Sequence, residues 1–291
     1  MKDSRPNLGI VLFIAIGVVP FAAAFLYALL YSFGIIGVAN TGFTTEFWTS
    51  IWASGTFFSS FLYSAAIALV AVIISVGGAL WATLKFQKRL QQKFLSFIIY
   101  LPLAVPGVVT GFFTFQLFSK GGFFARLSYQ MGWITEASQF PDLVNDALAF
   151  GIVLSFIAMV MPFFLLLFLN VHKNERIEEL SVLARSLGAS AKQVTRLIFL
   201  PILIKKTWVL IVLYFIFLLG AYEVPLILGQ ESPQMLSVLI IREIKQYDLS
   251  KISEGYVVAV MYTLIVSLAA VLLFLPKKGR YVRPNGVEKE E

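Results

Sequence analysis

Long apolar stretches separated by short polar segments dominate the sequence. Six stretches reach the roughly 20 helical residues that are needed to cross the hydrocarbon core of a bilayer. They predict six transmembrane helices, at about residues 9–33, 58–84, 94–118, 148–170, 207–228 and 255–275. The predicted fold class is therefore an all-α membrane protein, and a soluble globular domain is excluded.

Several of these spans contain proline. Pro102 and Pro106 lie in the third span, Pro162 in the fourth and Pro225 near the end of the fifth. Proline inside a helix leaves backbone carbonyls without their usual partners, and in a membrane another polar group must satisfy them. We therefore expect these spans to line protein or water rather than lipid.

The charge distribution predicts the orientation of the chain. Hydrophobic residues make up 59% of the sequence, and only 13% of residues are charged. Of the 23 Lys and Arg, 18 lie before the first span, in the connections 85–93 and 171–206, or after the last span. Because cytoplasmic loops are enriched in Lys and Arg, both termini are predicted to be cytoplasmic. The net charge of +7 is explained by these loops, and we do not assign it to nucleic-acid binding.

The composition also restricts the possible chemistry. The chain has no Cys and one His, His172, which excludes thiolate chemistry, Cys-ligated zinc, iron–sulfur clusters and multi-histidine metal sites. His172 follows the fourth span beside Lys173 and is predicted to be an interfacial residue at a helix end. No metal site and no catalytic residue are predicted.

The connection 171–206 is polar but regularly patterned. Apolar residues recur at helical spacing at 180, 183, 184 and 187, and Gly188 follows where a left-handed helix cap belongs. Ser190 and Gln193 have the spacing of a capping box, which predicts the start of a second helix. Pro201 is predicted to end or kink that second helix. The segment is therefore a helix, a tight bend and a helix, suited to docking into a groove of another protein.

This segment resembles the signature of the transmembrane subunits of bacterial binding-protein-dependent ABC importers. That signature reads Glu-Ala-Ala, three residues, Gly, nine residues, Ile, one residue and Leu-Pro. The sequence supplies Ala184, Gly188, Ile198, Leu200 and Pro201 at that spacing, between the fourth and fifth spans. Val182 and Leu183 replace the first two residues of the signature. The stretch 220–225 is similar to the polyamine, thiamine and ferric-ion branch of these permeases.

The resemblance implies one permease domain over residues 1–291, in a bacterial inner membrane, with a type I importer fold. It implies that the connection couples transport to a separate ATP-hydrolysing subunit, which holds the ATP and magnesium, so this chain needs no cofactor. Further implied partners are a second permease subunit and an extracytoplasmic solute-binding protein. The residues expected to contact the ATPase are Ala184, Arg185, Ser186, Leu187, Gly188, Ala189, Ser190, Lys192 and Gln193.

Glu223 lies well inside the predicted fifth span, between Tyr222 and Pro225. A carboxylate at that depth is unfavourable unless it is paired or hydrated. It either bonds to a hydroxyl or backbone group of a neighbouring helix, or lines the path of the solute with Tyr222 and Pro225. In the second case the solute is predicted to be a polyamine, a thiamine-like molecule or a metal cation.

Two other functional classes compete with an importer permease. A secondary transporter or channel also uses six or more spans with broken helices, but no inverted repeat is visible and Glu223 is the only clear charge within a span. A membrane enzyme is disfavoured because His172 and scattered carboxylates do not form a catalytic cluster. The chain also lacks a phosphate-binding loop, so it is not itself the ATPase.

Overall fold

The computed structural model describes residues 8–38, 40 and 42–275, and that part of the chain is helical and contains no β-strand. The basic residues Lys2 and Arg5 and those after position 275 lie outside it. The helices are α1 (Leu8–Ser32), α2 (Glu46–Ser54), α3 (Thr56–Leu90), α4 (Lys93–Tyr100), α5 (Gly107–Phe118), α6 (Phe123–Gln130), α7 (Phe150–Asn174), α8 (Ile177–Ser186), α9 (Ala191–Leu219), α10 (Glu223–Leu228), α11 (Leu236–Ile244) and α12 (Leu249–Phe274).

Five of these helices, α1, α3, α7, α9 and α12, are long and apolar enough to cross a membrane. The third predicted span, 94–118, is broken rather than continuous, and its two halves are bent by 99°. The break follows from Pro106, because a proline ring disfavours helical conformation in the residue before it. Val105 is indeed extended, and α5 begins directly after Pro106. The count becomes six spans if this bent pair forms one span.

The fifth predicted span, 207–228, has different boundaries in the structure. The helix already begins at Ala191, so part of the predicted connection 171–206 belongs to it, and it ends at Leu219. The short helix α10 follows after a break. Pro225 has no amide hydrogen to donate to the carbonyl of Ala221, which explains why the helix does not continue. The hydroxyl of Ser237 donates to that carbonyl instead.

The core of the bundle is the contact between α3 and α7. Small buried residues on α3, among them Ala68, Ala71 and Ala79, allow the large rings of Phe164 and Phe168 on α7 to pack closely. The broken third span joins this core through a hydrogen bond of 2.8 Å from the hydroxyl of Ser155 on α7 to that of Thr114 on α5. Apolar packing therefore holds α3 against α7, and a hydrogen bond between side chains helps to hold α5 against α7.

The two ends of the bundle differ. Helix α8 lies where α3 and α7 end and α9 begins, and we call this the bend end. The short helices α2, α6 and α11 lie at the opposite end. The backbone N–H of Leu236, at the start of α11, donates to the buried hydroxyl of Ser64 on α3 over 2.8 Å. The opposite end is therefore tied to the same central helix as the bend end.

Candidate functional site

The bend after α8 has the geometry that the sequence predicts. Gly188 has a φ of +91°, a conformation that residues with a side chain rarely adopt. Its N–H donates to the carbonyl of Arg185 over 2.9 Å, and the N–H of Ala189 donates to the carbonyl of Ala184 over 3.0 Å. These two bonds form a Schellman motif, which ends the helix and reverses the chain.

The second helix begins with the predicted capping box. The side chain of Gln193 accepts from the N–H of Ser190 over 2.8 Å, and the hydroxyl of Ser190 accepts from the N–H of Gln193 over 3.3 Å. Two capped ends therefore stand on either side of residues 187–189. Because both sets of bonds are local, the bend is defined by the segment itself.

Pro201 does not end the second helix, which was one of the two outcomes predicted from the sequence. A π-helical turn spans Thr195–Phe199, and the N–H of Leu200 donates to the carbonyl of Thr195. Such a turn contains one extra residue, and its altered hydrogen-bond pattern allows the helix to continue although Pro201 has no amide hydrogen to donate. The helix then continues to Leu219, so the bend is joined to a transmembrane helix without an intervening loop.

The apolar face of α8 is divided between the core and the surface. Ile177 is fully buried and anchors the helix. Val182, Leu183 and Leu187 are 63%, 60% and 89% exposed, so most of the predicted apolar stripe has no cover in this chain. Ile177 was not among the residues predicted from the sequence, although its spacing to Ser181 and Ala184 is helical and follows the inner face. Arg185, Lys192 and the residue at the signature's Glu position, Val182, are exposed at the bend.

Ion pairs link α8 and the residue Glu175, which precedes it, to the bundle. Lys206 Nζ on α9 lies 2.7 Å from a carboxylate oxygen of Glu175, and Lys88 Nζ on α3 lies 3.9 Å from one of Glu178. These side chains are substantially exposed, and pairs of that kind stabilise by about 0–1 kcal/mol. These ion pairs therefore help to orient α8 but contribute little to the free energy of its packing on the bundle.

The second candidate site lies where the two breaks meet. Glu223 begins α10, and its Oε2 accepts a hydrogen bond of 2.9 Å from the N–H of Val108, in the first turn of α5. The carboxylate therefore lies at the positive end of the α5 dipole, which favours a negative charge. A Cβ at Gly107 would lie 2.8 Å from the same oxygen, so a glycine permits this approach. The backbone partner is one of the two alternatives that the sequence left open.

Glu223 is nevertheless exposed, at one wall of a cleft of about 500 Å³. Tyr222 lines the same cleft, as do Met159 of α7 and Tyr262 of α12. Pro225, the third residue predicted to line the path, is buried and does not line this cleft. Among the described residues, no group of three His, Cys, Asp or Glu is placed to hold a metal ion.

Residues 74–275, more than two thirds of the chain, match the sequence profile of the family described as the binding-protein-dependent transport system inner membrane component. The chain belongs to this family. No curated protein matches the permease. Both candidate sites fall inside the matched region, whereas α1, α2 and the start of α3 precede it.

Membership in the family establishes the class of the protein. The permease is a transport component of a type I ABC importer, not an enzyme, and it crosses the membrane several times. The helical bundle agrees with that class, because its long helices are apolar on the faces that the chain leaves exposed. The family match confirms the resemblance to importer permeases that was inferred from the signature around Gly188.

Proposed function

We propose that this permease forms the path of a small solute across a bacterial inner membrane, and that its bend binds a separate ATP-hydrolysing chain. The observation that carries the proposal is the exposed bend, whose geometry is fixed by two caps while its apolar side chains remain uncovered. A fixed and uncovered apolar surface is what a stable docking site requires. The proposed contact runs from Ala184 to Gln193.

The charge distribution supports a cytoplasmic position for the bend. Most of the Lys and Arg lie at this end of the bundle or in the terminal segments, which favours the cytoplasmic side. ATP is available there, so the ATPase would dock on that side with its bound magnesium. The opposite end, with α2, α6 and α11, would then face the extracytoplasmic solute-binding protein. A second permease subunit would complete the path.

Crosslinking tests the docking surface and the orientation together. The chain has no native cysteine, so single cysteines can be introduced without removing any. A cysteine at Ser186 or Ala189 should crosslink to the ATPase chain in the assembled complex. A cysteine at Ser54, at the opposite end, should not. Equal crosslinking from all three positions would contradict both the docking site and the orientation.

The geometry around Glu223 supports a cationic solute. Only Oε2 has a hydrogen-bond partner in the described part of the chain, and the side chain is exposed in the cleft. A negative charge at a constriction lowers the barrier for cations and raises it for anions. We propose that a polyamine, a thiamine-like molecule or a metal cation passes Tyr222 and Glu223.

Uptake by the full complex in vesicles tests the role of Glu223. Glu223→Gln keeps the size of the side chain and an oxygen that can accept from Val108, but removes the charge. Cation uptake should fall while the ATPase remains coupled to the permease. Unchanged cation uptake, or uptake of anions only, would contradict a role in the solute path and leave Glu223 with the structural role of capping α5.

A further inference from the structure

His172 lies in the last turn of α7, at a helix end as the sequence predicts, and its side chain is buried there, with 5% of its surface exposed. Its Nδ1 lies 3.0 Å from Nε2 of Gln87 on α3. An amide nitrogen donates and does not accept, so Nδ1 accepts this hydrogen bond. The bond joins two helices whose residues are 85 positions apart in the sequence.

The ring of His172 also contacts the helix that follows the bend. Its centroid lies 5.7 Å from that of Phe199, which is buried and closes the π-helical turn of α9. His172 therefore touches α3 on one side and the first turns of α9 on the other. A π-turn is a local irregularity in the hydrogen-bond pattern, and such turns occur often at functional sites.

The neighbouring links around α8 are of another kind. The pair Lys88–Glu178 joins α3 to α8, and the pair Lys206–Glu175 joins α9 to the end of α7, but both are exposed and screened by salt. The hydrogen bond of His172 is partly buried and directional, so α3 and α7 cannot slide past each other here without breaking it. Of these three links, it is the least exposed to solvent and resists displacement most.

We propose that His172 is a positioning residue that transmits a displacement of the bend to α3 as well as to α9. This inference rests on the proposed function of the bend. A displaced bend moves the π-turn, and Phe199 then presses on the ring of His172. The ring moves Gln87, and α3 follows because it is bonded at that point. The apolar packing of α3 on α7 and α9 remains without this link, but α3 then follows the bend less closely at this end, and less solute crosses for each ATP.

The experiment measures solute uptake and phosphate release in the same vesicles, with the complete complex reconstituted. His172→Ala and Gln87→Leu should each lower the ratio of solute transported to ATP hydrolysed by roughly 3- to 10-fold, the size typical of residues along a coupling route. Exchanging the two side chains, Gln87→His with His172→Gln, restores a hydrogen bond between the helices. The exchanged protein should recover most of the lost ratio. A merely structural role would instead lower uptake and hydrolysis together in the single variants and leave their ratio unchanged.

Asn174→Ala is the matched control. Asn174 also lies at the end of α7, but its side chain bonds to Asn170 on the same helix, over 2.7 Å. The ratio should not change in this variant. An unchanged ratio in both His172→Ala and Gln87→Leu, a proportional loss of uptake and hydrolysis, or no recovery on exchange would overturn the proposal. ATP-driven uptake by the unaltered complex tests the proposed function separately.

Discussion

Gly188→Val tests the backbone conformation of the bend separately from the contacts that its side chains make. A Cβ at Gly188 would meet no heavy atom within 4 Å, so there is open space where the side chain begins. What remains is backbone strain at a φ of +91°. Placing a residue with a side chain in the left-handed region costs about 1–2 kcal/mol. Strain of that size shifts the ratio of bent to unbent segments about 5- to 30-fold.

The effect should appear in coupling and not in folding. The bonds that depend on the bend are the two from the N–H groups of Gly188 and Ala189, whereas α9 is held by the bundle. We therefore expect Gly188→Val to insert at a normal level. Uptake in vesicles should fall by up to the same factor, while the ATPase continues to hydrolyse ATP without moving solute.

Two further variants control this experiment. Gly132 lies at the opposite end with a φ of +70° and also has open space around it, so Gly132→Val introduces similar strain away from the bend. Gly188→Asn should retain more activity than Gly188→Val, because Asn tolerates the left-handed region. Normal uptake by a well-inserted Gly188→Val protein would refute the reasoning. Equal losses from Gly132→Val would show that strain alone, wherever it lies, impairs the protein.

Two more substitutions test separate parts of the account. Leu187→Asp should weaken the binding of the ATPase by roughly 10- to 100-fold in a pull-down, because a buried leucine contributes about 1.5–3 kcal/mol. Leu148→Asp is its control, since Leu148 is 88% exposed at the opposite end, and similar binding losses from both would contradict the docking surface. Ser64→Ala should destabilise the protein by about 1–3 kcal/mol in thermal unfolding, because the N–H of Leu236 loses its partner. An unchanged midpoint would contradict that role, and the exposed Ser59 gives the control Ser59→Ala.

The features that follow from neighbouring residues could be predicted from the sequence. The Schellman motif at Gly188 and the capping box at Ser190 depend on residues within five positions of one another, so their spacing was sufficient. The apolar stretches likewise located the long helices, because length and hydropathy are local properties.

The remaining features depend on distant parts of the chain. Glu223 bonds to Val108 across 115 positions, and His172 bonds to Gln87 across 85. Spacing along one helix does not reveal such pairs. The same holds for Pro201, where the sequence predicted an end or a kink, because the packing of α9 against distant helices favours a continuous helix with a π-turn.

We expect ATP hydrolysed on a separate chain to drive solute movement through this permease. The most direct test reconstitutes the permease with its partners in vesicles and measures solute uptake with ATP, with an ATPase chain that cannot hydrolyse ATP, and with ionophores that remove ion gradients. Uptake should require hydrolysis and persist with the ionophores. Uptake without hydrolysis that ends when the gradients are removed would identify a secondary transporter and contradict ATP-driven import.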